Sequence, residues 1–145
     1  MSLLLKQNAS FINEELATLV VEKEWQIARA RYQLKDIANQ FGFSQVYAAQ
    51  LITSLSELGY NLVFHSDNRG VIYVSRVIKA NSSGIKLICV DNGSGILCIS
   101  DALTDGFSTN GGFGGGLPGV ERLMDEFFIE STNQVTRIEC IKWAP

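Results

Sequence analysis

The chain is poor in the residues that most often carry acid–base chemistry, metal binding and cross-linking, with one histidine and three cysteines in 145 residues. The histidine, His65, falls at an expected helix end and reads as a C-terminal cap rather than an acid–base catalyst. Cys89, Cys98 and Cys140 are odd in number and have neither disulfide-like nor zinc-ligand spacing, and two of them sit in apolar strand-like runs. They are expected as reduced, buried thiols. No run of about 18 apolar residues occurs, so no helix is expected to cross a membrane. Leu3-Leu4-Leu5 before Lys6 is too short for the apolar core of a signal peptide, and a cytoplasmic protein is expected. Charge of one sign is also missing. The net charge is −3, the isoelectric point about 5.1, and the basic residues are scattered. That leaves no electrostatic footprint for nucleic acid. There is no internal repeat, linker or low-complexity segment, and no G-x-x-x-x-G-K-S/T phosphate loop.

What is present is a core and an unusual glycine cluster. A hydrophobic content of 46% over residues 1–145 supports one domain with one active surface. The organising stretch runs from Leu87 to Glu126. A strand ends in Asp91-Asn92-Gly93-Ser94-Gly95, and a loop at Gly111-Gly112-Phe113-Gly114-Gly115-Gly116 leads into a helix at Leu117-Pro118-Gly119. Glycine at this density packs nothing and costs backbone entropy, so it marks positive φ or close approach of backbone to a ligand. Backbone N–H groups of such a loop, with the orphan donors at a helix start, favour a phosphate-like anion, and a bound nucleotide is the economical reading. The alternative is a flexible linker. The strand before it and the amphipathic helix after it stand against that.

In chain order, Ala17–Val21 reads as a first strand from its β-branched content. Residues 24–40 read as helix one, with Trp25, Ile27, Ala28, Tyr32, Leu34 and Ile37 at mixed three and four spacing and Gly42 as the stop. Ser44 is a good N-cap for helix two, whose stripe Ala48, Leu51, Ile52, Leu55, Leu58 and Leu62 should pack on the sheet. Glu57 and Asn61, four apart, share one face of that helix beside the stripe. They are either a solvated pair or a functional one. Residues 71–78 and 85–90 form a hairpin with a turn at Asn81-Ser82-Ser83-Gly84. Leu117–Phe127 reads as helix three, and residues 128–131 and 135–143 as a closing hairpin. Trp25, Trp143, Phe127 and Phe128 read as core.

Taken together, these pieces resemble the GHKL, or Bergerat, ATP-binding fold shared by histidine kinases, gyrase-type ATPases and MutL, and within it the RsbT group of serine/threonine switch kinases. The resemblance covers roughly Ala17 to Trp143. It is carried by Asp91-x-Gly93-x-Gly95, Asp101 to Thr109, Gly114-Gly115-Gly116-Leu117-Pro118-Gly119, Arg122 to Phe127 and Lys142-Trp143, with Ile27 to Arg31 and Phe41 to Ser44 upstream. It implies an α+β two-layer sandwich, with a mixed, mainly antiparallel sheet and helices on one face. By the same resemblance Asn61 is a magnesium ligand and Glu57 the general base. Asp91 accepts a hydrogen bond from the adenine amino group, and Gly93 and Gly95 let the base come close. Ser108, Thr109, Gly114, Gly115, Gly116 and Leu117 belong to the phosphate lid, and Thr136 lies beside the adenine. The implied cofactors are ATP and Mg2+. No histidine stands where histidine kinases carry their phospho-acceptor.

Three departures from the group stand out. Gly59-Tyr60 replaces a small residue followed by arginine, which weakens the helix by about 1 kcal/mol and removes a positive charge near the phosphates. Ser94 replaces proline. Asn133-Gln134-Val135-Thr136 lacks the glycine before the threonine, so a side chain at Gln134 or Val135 is expected to crowd the adenine pocket. Two functions follow from the resemblance. One is an ATP-dependent protein serine/threonine kinase of a partner-switching pathway, phosphorylating a STAS-domain antagonist. The other is a non-catalytic ATP-binding module that activates a PP2C-type phosphatase or sequesters a sigma factor through the exposed faces of helices one and two. Neither calls for nucleic acid or membrane.

Overall fold

The structure, a computed structural model, describes residues 12–65, 70–91, 116–132 and 135–144, with the side chains of His65 and Thr132 outside that description. The elements in order are β1 (Ile12–Val20), α1 (Glu24–Gln40), α2 (Gln45–His65), β2 (Val71–Lys79), β3 (Ser82–Asp91), α3 (Gly116–Leu123), β4 (Glu126–Thr132) and β5 (Val135–Trp143). The strands form one five-stranded sheet in the order β1-β2-β3-β5-β4. Every neighbouring pair is antiparallel. Among the described helices none is long and apolar enough to cross a membrane.

Local chemistry sets the helix ends. The side chain of Gln26 reaches back to accept from the backbone N–H of Lys23 at 2.9 Å and of Glu22 at 2.7 Å, satisfying donors ahead of α1. At the other end Gly42 has φ +75°, its N–H donates to Asn39 O, and Phe43 N–H donates to Ala38 O. This is a Schellman closure on glycine, as expected. Ser44 Oγ accepts from Tyr47 N–H at 3.1 Å and caps α2. The α2 stripe is buried at Ala48, Leu51, Leu55, Leu58 and Leu62 and packs with Ile27, Leu34 and Ala38 of α1 and with Ile72, Val74, Leu87 and Cys140 of the sheet. Helix α2 touches both α1 and α3. Cys89 and Cys140 are free, buried thiols. Burial pushes Cys140 up to about 12 and Cys89 higher still. Cys98 lies outside the described residues.

Several boundaries move from their expected places, each for a tertiary reason. β1 begins at Ile12 because its polar first half is an edge: Asn13 pairs with Val77 and Glu15 with Ser75, and both side chains are exposed. The β2–β3 turn is Ala80-Asn81, since Ser82, Ser83 and Gly84 already pair with Lys79, Ile78 and Val77. Ala80 takes the left-handed φ of 53°, at a cost of about 1 kcal/mol. Gly84 is a strand glycine because a Cβ there would lie 2.8 Å from both Lys142 O and Trp143 Cε3. Helix α3 stops at Leu123, not Phe127. Asp125 N–H donates to Ile141 O at 2.9 Å and Glu126 enters β4.

The aromatic expectations divide in the same way. Trp25 is 61% exposed and Phe128 is exposed, so neither is core. Trp25 lies two positions before buried Ile27, about 200° around the helix. Phe128 pairs with Glu139 on the sheet face away from the helices. Trp143 is half-buried, with its ring over Gly84 and its Nε1–H donating to Glu126 at 2.6 Å. Phe127 is partly buried against the core, as expected.

Candidate functional site

Two elements bring the described site residues into place. The first is α2. Gly59 faces α1, where a Cβ would meet Ile27 Cγ1 at 3.1 Å. Glu57 and Asn61, two residues to either side, each project about 200° from it, away from α1. Glu57 is only 2% exposed, and Asn61 is half-buried. The Gly59 departure therefore has a packing cause: it lets two helices approach closely.

The second element is the end of β3. Asp91, its last residue, is 4% exposed and sits directly opposite Thr136 of β5, which in turn sits opposite Ser131 of β4. The Thr136 and Ser131 hydroxyls are 3.3 Å apart. Strand alternation puts Asp91 and Thr136 on the face shared with Leu87, Cys89, Ile138 and Cys140, the helix-covered face. Val135 lies on the other face, so its side chain does not crowd Asp91 and Thr136; Gln134 lies outside the described residues. Gly116 opens α3 with φ +69°. Leu117 buries its side chain in the core, leaving its backbone N–H as one of the orphan donors of the helix start. Gly93, Gly95, Ser108, Thr109, Gly114 and Gly115 lie outside the described residues.

Sequence reasoning assigned no role to two features. Gln50 and Ser54 continue the Glu57–Asn61 flank, giving polar residues at spacings of four, three and four along one side of α2. Ser54 is fully buried, and neither its Oγ nor Gln50 Oε1 has a hydrogen-bond partner among the described residues. That helical spacing of polar residues beside an apolar stripe was the available signal. The other feature is Lys142. Its Nζ donates to Leu123 O at 2.9 Å, lies 3.5 Å from Asp125 and stands 4.5 Å from the centre of the Tyr47 ring. It closes the C-terminus of α3 and ties that helix to the start of α2.

Other charges and cavities lie elsewhere. Lys86, Arg137 and Glu139 share the far face of the sheet. Burial lowers the Lys86 amine below its ordinary range, with the Glu139 charge opposing and Arg137 reinforcing. An open groove of about 750 Å³ runs between α1 and the first half of α2, on the α1 side and apart from Glu57 and Asn61. Among the described residues no three His, Cys, Asp or Glu side chains gather as a metal cage.

No family model matches the chain. Among solved structures, the crystal structure of the RsbU and RsbW domains of Rv1364c from Mycobacterium tuberculosis shares the fold at a TM-score of 0.61 and 17% identity. That match covers 92% of this chain and 33% of the other. The serine/threonine-protein kinase RsbT of Bacillus subtilis (strain 168) is 42% identical over 121 residues, covering 83% of this chain and 90% of the relative. Identity at that level over nearly the whole of both chains, on a sheet that sets Asp91 against Thr136 beneath a helix bearing Glu57 and Asn61, means that this chain belongs to the RsbT family of serine/threonine-protein kinases.

Proposed function

We propose that this kinase uses Mg-ATP bound between α2 and the end of β3, and that its substrate is a serine or threonine on a STAS-domain antagonist protein in a partner-switching pathway. The observation that carries the reading is the Glu57 carboxylate, withdrawn from solvent on the same flank of α2 as Asn61. Burying a carboxylate is costly, and an ordinary solvated pair does not incur that cost. The residues present fit the nucleotide: a buried acceptor at Asp91 beside the Thr136 hydroxyl, an amide at Asn61, and unpartnered polar atoms along the α2 flank.

In this reading Asp91 accepts the hydrogen bond of the adenine amino group, and Thr136 flanks the base from the neighbouring strand. The Asn61 amide oxygen would hold Mg2+ as a hard ligand. When bound, Mg-ATP supplies the phosphoryl group. Glu57 would accept the proton of the incoming seryl or threonyl hydroxyl, freeing its oxygen to take the phosphoryl group as the bond to ADP breaks and ADP leaves. The Gly59 half of the Gly59-Tyr60 departure has its cause in the α1–α2 contact, and Val135 lies on the other sheet face; Tyr60 still replaces the positive charge, and Gln134 lies outside the described residues. The test is incubation with labelled ATP and a panel of STAS-domain proteins. Label transferred to a serine or threonine of a STAS partner supports the reading; nucleotide binding without transfer to any would overturn it.

A further inference from the structure

Helix α3 is eight residues long, too short to hold its shape without tertiary contacts. Polar contacts gather at its C-terminal end. Lys142 Nζ donates to Leu123 O at 2.9 Å, lies 3.5 Å from Asp125 Oδ1 and stands 4.5 Å from the centre of the Tyr47 ring. Asp125 is held twice more: its Oδ2 accepts from Trp143 N–H at 2.7 Å, and its own N–H donates to Ile141 O. The end of the helix is thereby fixed to β5 on one side and, through Tyr47, to the start of α2 on the other.

Lys142 is only 6% exposed. Taking an ammonium group out of water is costly, and an apolar side chain of the same length would fill the space without that cost. What a charged donor adds over an apolar filler is direction, because Nζ must meet both the Leu123 carbonyl and the face of the Tyr47 ring. Its distance from the nucleotide pocket rules out a direct contact there: Thr136 lies six residues away along β5, about 20 Å.

Helix α3 connects the two places. Leu117 and Val120 are buried in the core shared with α2, so from the Lys142 lock α3 runs back along α2, antiparallel to it. Its start lies about 10 Å nearer the Glu57–Asn61 flank. There Gly116 opens the helix at φ +69°, and the first N–H groups have no helical acceptors. A tilt of about 10° at the locked end moves the start by about 2 Å, enough to break a hydrogen bond to a fixed anion.

We propose that Lys142 is a positioning residue for the phosphate groups of the nucleotide: by fixing the C-terminal end of α3 it aims the N–H groups at the other end. It thus sets affinity for the phosphates and not for the adenosine part. This role rests on the nucleotide reading above and adds to it a residue that touches neither nucleotide nor substrate.

The test uses the full chain, labelled with nitrogen-15, and follows its amide signals in titrations with adenosine and with Mg-ADP. Lys142→Met keeps the length and removes the donor. It should lower ADP affinity about three- to tenfold, the scale of an anion at a helix terminus, and leave adenosine affinity within about twofold. Lys142→Arg keeps the charge and should restore most of the loss. A role in stability alone would lower the melting temperature and weaken both ligands together or neither. Tyr47→Leu, which withdraws only the ring, should lower ADP affinity by a smaller factor with adenosine affinity again unchanged, and it carries the test if Lys142→Met does not fold. ADP affinity unchanged in these variants, or adenosine and ADP weakened by equal factors, would overturn the proposal alone. A wild type that binds neither adenosine nor ADP would overturn the nucleotide reading and the proposal with it.

Discussion

The two sides of α2 are built on opposite principles. On the α1 side, Gly59 gives up helix propensity so that Ile27 can pack within 3.1 Å of where its Cβ would be, and the surface beyond opens into a groove. On the other side Glu57 is buried and Ser54 and Gln50 hold buried polar atoms with no partner among the described residues. A side organised for stability hides apolar groups and satisfies polar ones; a side organised for chemistry keeps polar groups out of water at a cost in stability. The difference between them separates a residue kept for packing, Gly59, from the one proposed to act in the reaction, Glu57.

The strongest challenge to that division is Glu57→Gln, which keeps shape and removes the base. Phosphotransfer should fall by roughly two orders of magnitude or more, while ADP affinity by calorimetry stays within a few fold. Phosphotransfer equal to wild type would make Glu57 a structural residue like its neighbours. Next in size is Asp91→Asn, which turns an acceptor into a partial donor toward the adenine amino group. Loss of a hydrogen bond to a charged group, about 1.5 to 3 kcal/mol, predicts ADP binding weakened by roughly 10- to 150-fold. Unchanged affinity would remove the β3 end from the site.

A smaller effect is expected at Ser54. Its buried hydroxyl has no partner among the described residues, so Ser54→Ala should raise thermal stability by about 1 kcal/mol, at the low end of the cost of an unsatisfied group. A loss of stability would mean that the polar side is satisfied after all. The smallest net change is expected at Gly59→Ala. The gain of about 1 kcal/mol in helix propensity is offset by the contact with Ile27, and ADP affinity should not change. Combining it with Ile27→Val should release the propensity gain, and a double-mutant cycle on melting would show the coupling. Additivity of the two changes would mean that α1 and α2 are not in tight contact at Gly59.

Much of this could be read from residues close together in the chain. The Gly42 stop, the Ser44 cap, the α2 stripe and the sharing of one helical face by Glu57 and Asn61 depend on interactions within a turn or two, and the sequence by itself determined them. The family motifs from Asp91 to Phe127 were likewise legible as a linear pattern. What the tertiary structure decided involves partners far apart. The early stop of α3 follows from the Ile141 carbonyl taking Asp125 N–H, and the strand glycine at Gly84 from the crossing of Trp143. The exposure of Trp25 depends on which face of α1 meets the core, and the role of Gly59 on Ile27 lying across from it. The pairing of Asp91 with Thr136 needs β5 to insert between β3 and β4. Helical period and capping are short-range properties, encoded within about four residues; the partner that a strand, a glycine or an exposed ring meets is set only when the sheet and its helices come together.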